Sequence, residues 1–67
     1  MVDTNELRRA IDASGMTVTA IAEKCGITRE TLYNKLKTGL FYASEIAALT
    51  DILHLTRDKR DAIFFSN

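Results

Sequence analysis

The chain has 67 residues with nine Lys+Arg against nine Asp+Glu, 46% apolar and 27% charged residues. At 7.5 kDa it has side chains enough for one hydrophobic core and not two, so residues 1–67 are read as a single domain that buries roughly 60% of its unfolded surface. The balance of charge argues against a broad polybasic surface, and one Cys (Cys25) with one His (His54) is too few for a disulfide or a protein-only zinc site. The start, MVDTNELRR, lacks the apolar run of a secretory signal. No segment approaches the ~20 apolar residues of a membrane span, so a cytoplasmic location is expected.

With no Pro, and Gly at positions 15, 26 and 39 only, the breakers divide the first half of the chain into three short segments. In the first, Asp3 is a good N-cap with Glu6 placed to close a capping box, and Leu7, Ala10 and Ile11 form a stripe before Gly15; the spacing predicts a helix over 4–14. Thr17 or Val18 opens a second over 18–25, where Ile21, Ala22 and Cys25 share a face and Gly26 stands at the left-handed exit. Thr28 caps a third over 29–37, with Leu32 and Leu36 as i, i+4 neighbours and Lys35 and Lys37 near its C-terminus.

After the loop Leu40-Phe41-Tyr42-Ala43, Ser44 is the N-cap candidate for a helix over 45–54 carrying Ile46, Leu49, Ile52 and Leu53. Thr56 caps a last helix over 57–64, for which Ala62, Ile63 and Phe65 supply apolar area. No run alternates as a half-buried strand must, so the fold class is all-α, a compact bundle of five helices.

The turn Gly26-Ile27-Thr28 is too short to lay its flanking helices antiparallel, so 18–37 reads as a helix-turn-helix. Setting Leu32 at zero and advancing about 100° per residue puts Glu30, Asn34 and Lys37 opposite the Leu32–Leu36 seam, with Thr31 and Tyr33 on the shoulders. Arg29 lies nearer the seam but reaches past the first turn. Such a polar, mixed-sign stripe suits the base edges of a major groove. Residues 29–37 hold three basic and one acidic side chain, the only net-positive stretch of the chain.

The segment AIAEKCGITRETLYNKLKTG resembles the helix-turn-helix of the lambda-repressor and Cro-like (XRE-type) superfamily, through the spacing of Ala22, Gly26, Ile27 and Leu32. That resemblance implies a five-helix domain whose third helix enters the DNA. It implies that Arg29, Glu30, Tyr33 and Asn34 face bases, and that Thr19, Thr28 and Lys35 or Lys37, with the loop after Gly39, hold phosphates. The sequence departs from the family where Lys35 stands at the usual last apolar anchor and Leu36 takes its role, which bears on whether Asn34 or Lys37 faces the bases.

Several residues admit a second reading. Glu30 accepts from a cytosine amino group or pairs with Asn34 within the helix. Cys25 is read as a small core hydrophobe, and His54 as a charge or capping donor at a helix C-terminus. Phe64 and Phe65 finish the core or pair two chains. No catalytic set is present: there is no carboxylate pair in an apolar setting, no Ser or Cys with a His base, and no Gly-rich phosphate loop. The expected function is that of a sequence-specific, non-enzymatic transcriptional regulator of the phage-repressor or Cro kind. Its partners are double-stranded DNA and a second copy of itself, with no cofactor, metal or small-molecule ligand. The alternative is a small helical protein-interaction module (an antitoxin, anti-repressor or adaptor) using the Leu40–Ala43 loop and the Phe64/Phe65 pair.

Overall fold

A computed structural model describes residues 1–66. Its elements are α1 (Thr4–Ser14), α2 (Val18–Cys25), α3 (Arg29–Thr38), α4 (Ala43–Ile52) and α5 (Arg57–Phe64), with no strand among the described residues. Four of these helices begin at a side chain that takes up an otherwise unpaired backbone N–H. The Asp3 carboxylate accepts from Glu6 N–H at 3.1 Å, and the Thr17, Thr28 and Thr56 hydroxyls accept from Ala20, Thr31 and Lys59 N–H at 3.0, 3.1 and 3.1 Å. The box expected at α1 is only half made. Asp3 N–H donates to Ile63 O at 2.6 Å, tying α1 to α5, and the Glu6 carboxylate turns to Arg9 and to Lys59 instead.

The fourth helix starts and ends two residues before its expected limits. Ser44 does not cap it; the Glu45 carboxylate reaches back and accepts from Tyr42 N–H at 2.7 Å, so Tyr42 takes the N-cap position. At the other end His54 adopts φ 53°, a left-handed conformation uncommon outside glycine, with Leu55 N–H closing onto Thr50 O at 2.9 Å. The backbone of His54 thus turns the chain out of α4. An L-residue there costs about 1–2 kcal/mol, part of which glycine returns through its greater freedom when unfolded. His54→Gly is expected to raise stability by about 0.5–1 kcal/mol, read as a higher midpoint in thermal denaturation; an unchanged or lower midpoint would show that the imidazole makes a compensating contact.

The core is built from all five helices: Leu7 and Ile11 of α1, Ile21 and Ala22 of α2, Leu32 and Leu36 of α3, Leu49 of α4, and Ile63 and Phe64 of α5. Packing runs α1 on α3 and α5, and α2 on α3 and α4, within 27 × 22 × 20 Å. Phe64 is buried and meets Phe41 edge to face, ring centroids 5.7 Å apart. Phe65, expected among the apolar contributors of α5, is 57% exposed, and Ala62 is exposed too. Adjacent helical residues point about 100° apart, and Ile63 and Phe64 take the inward directions. Cys25 is half-buried against the core; burial, and then the nearby Glu45 carboxylate, push its thiol pKa above the ordinary range.

Candidate nucleic-acid interface

The turn between α2 and α3 is set by Gly26, whose φ of 75° lies where only glycine is unstrained. Ile27 N–H returns to Ala22 O at 3.0 Å, and the half-buried Ile27 packs on the core beneath the turn. Ala22, 1% exposed, sits at the α2 side of this junction. Thr28 then starts α3, its hydroxyl 2.8 Å from that of Thr31 as well as accepting the Thr31 N–H.

Leu32 and Leu36 seat α3 inward at 0% and 2% exposure, so Leu36 is the apolar anchor and the angular order drawn from the sequence applies. Glu30, Asn34 and Lys37 are exposed opposite that seam, Tyr33 is exposed on the shoulder and Arg29 at the first turn, and Thr19 of α2 and Thr28 of the turn are exposed as well. The Arg29 guanidinium lies over the Tyr33 ring, 5.5 Å from its centroid, so these two form one cationic and aromatic unit at the start of α3. Asn34 and Lys37 therefore share the open face.

Lys35 is placed differently from the other residues assigned to phosphates. Its side chain is only 16% exposed, its ammonium stands 3.1 Å from the Glu45 carboxylate and 4.5 Å from the centre of the Tyr42 ring. Among the described residues Arg29 and Lys37 of α3 make no ion pair. The loop after Gly39 carries exposed apolar side chains, Leu40 and Tyr42, which with Thr31, Asn34 and Thr38 of α3 border a cleft of about 490 Å³. Asn34 belongs to both the outward stripe and this cleft. The sequence places Tyr42 in the surface loop after Gly39, but nothing local in it links Tyr42 or Glu45 to Lys35 in the preceding helix.

Among the described residues no group of His, Cys, Asp or Glu is arranged to hold a metal ion, and no helix is long and apolar enough to cross a membrane. No curated protein and no solved structure matches the chain significantly. Residues 3–39 do match a family, the helix-turn-helix domain of resolvase. The matched segment spans more than half of the chain and runs from the Asp3 cap through α1, α2, the Gly26 turn and α3 to Gly39. By that match the chain belongs to the resolvase-type helix-turn-helix family, and the α2–turn–α3 unit described above is its helix-turn-helix, a DNA-binding type of domain.

Proposed function

We propose that the chain acts as a sequence-specific transcriptional regulator of the phage-repressor or Cro kind, placing α3 in the major groove of an operator. One observation carries this reading: α3 buries Leu32 and Leu36 and leaves Arg29, Glu30, Tyr33, Asn34 and Lys37 exposed on one helix directly after the Gly26 turn. In this reading Arg29, Glu30, Tyr33 and Asn34 face base edges, while Thr19, Thr28 and Lys37 hold phosphates. A single module of this size offers little contact area for tight specific binding. A homodimer on half-sites about 34–36 Å apart supplies the rest, with the exposed Phe65 as its apolar contact.

Selection of sites from random duplex DNA, followed by two substitutions, tests the assignment. Asn34→Ala is expected to relax base preference, with a loss of discrimination of about 1–3 kcal/mol at one position. Lys37→Ala is expected to weaken all duplexes alike and to lower the salt slope of log K by about 0.9, the value of one phosphate contact. If both substitutions leave affinity for the selected site untouched, α3 is not the recognition helix.

A further inference from the structure

We propose that Glu45 is a specificity-determining residue that withholds the Lys35 ammonium from the nucleic-acid backbone. The inference rests on the DNA-binding reading of α3. It starts from the Lys35–Glu45–Tyr42 cluster, the only ion pair among those observed in which both side chains are largely covered, at 16% and 11% exposure.

The carboxylate is fixed independently of the lysine, since Glu45 Oε1 accepts from Tyr42 N–H at 2.7 Å and so belongs to the start of α4. The Tyr42 ring covers the ammonium from another side at 4.5 Å. A lysine on a flexible four-carbon stem otherwise follows any nearby phosphate. Here it meets a positioned carboxylate and an aromatic face, on the flank of the cleft that Asn34 also borders.

The effect on charge is large for so small a surface. Residues 29–37 carry Arg29, Lys35 and Lys37 against Glu30, a surplus of two; with Lys35 neutralised by Glu45 the surplus is one. Affinity for DNA of any sequence scales with the number of phosphates neutralised, whereas base-edge contacts from residues such as Asn34 do not. Removing one cation from the phosphate count therefore lowers indiscriminate binding and leaves base reading in place. Glu45 thereby raises the ratio of specific to nonspecific affinity.

The test is Glu45→Gln, which keeps an oxygen for the Tyr42 N–H and removes only the charge, with helicity checked by circular dichroism. Binding to a random-sequence duplex, followed by fluorescence anisotropy across a salt series, is expected to show a log K slope steeper by about 0.9. Selectivity for the selected site should fall correspondingly. Acetylation of Lys35 by acetic anhydride, read by mass spectrometry, is expected to be several-fold faster in the variant. Lys35→Gln, measured in parallel, is expected to keep the parental slope, because that cation makes no phosphate contact in the parent. An unchanged or shallower slope for Glu45→Gln, an unchanged Lys35 reactivity, or a slope lowered by about one contact in Lys35→Gln would overturn the inference while parental DNA binding stands. Failure of the folded parent to bind any duplex would overturn the DNA-binding reading, and this inference with it.

Discussion

Phe64→Ala is expected to remove most of the stability of the fold. Phe64 is 2% exposed, closes the core at the end of α5 and meets Phe41 edge to face, so truncation loses its transfer energy, leaves a cavity and ends the aromatic pair. Losses of this kind run to about 3–5 kcal/mol. A 67-residue domain holds roughly 3–10 kcal/mol in total at the usual 0.05–0.15 kcal/mol per residue. The thermal midpoint should therefore fall by more than about 12 °C, or the variant should be unfolded at 25 °C. Phe65→Ser provides the contrast. Its ring is 57% exposed, so the midpoint of the dilute monomer should scarcely move, while sedimentation should shift toward monomer if that ring joins two copies. A dimer unaltered by Phe65→Ser would remove the residue from the interface. A small effect of Phe64→Ala would mean that Phe41 and its neighbours collapse into the gap.

The neighbouring Phe residues also show where sequence reading stops. Both have the same composition and nearly the same place in the chain, and only the angle at which α5 lies on the rest of the bundle turns Phe64 inward and Phe65 outward. Four helix starts were legible because a short oxygen-bearing side chain stands directly before the apolar periodicity, at Asp3, Thr17, Thr28 and Thr56. The start of α4 was not. Tyr42 is no usual N-cap residue, and the group that satisfies its N–H comes from Glu45, three residues on and the first residue of the helix expected from the sequence. Ser44 offered a stronger local signal and was left unused.

A similar limit applies to the interface. The outward stripe of α3 followed from two leucines and a fixed turn per residue, because those leucines find their core and thereby fix the rotation. Which cations on that helix remain free did not follow. The helical order sets Lys37 opposite the leucine seam and Lys35 near it, but the groups that hold the Lys35 ammonium, Glu45 and Tyr42, come from the start of α4, whose approach no local pattern encodes. The half-made box at α1 has the same cause: the Asp3 N–H and the Glu6 carboxylate find partners in α5, whose approach no local pattern encodes.

Leu32→Ala is expected to couple stability to recognition more strongly than any change on the exposed face. Leu32 is 0% exposed at the first full turn of α3, which packs against both α1 and α2, and its loss should cost about 2–5 kcal/mol. The cost falls on the contact that sets the rotation of α3. A turn of even a few tens of degrees would carry Asn34 toward the flank now held by Thr38 and replace it with Glu30 at the centre of the stripe. At a temperature low enough to keep the variant folded by circular dichroism, specific affinity should therefore fall by more than the fraction unfolded explains. Nonspecific affinity, which depends on Thr19, Thr28 and Lys37 reaching phosphates and not on the register of the reading face, should fall only by that fraction. Conservative replacement by Leu32→Met, close in volume and apolar throughout, should restore most of both. Equal losses of specific and nonspecific binding in Leu32→Ala would show that the seam supports the fold without orienting the reading face.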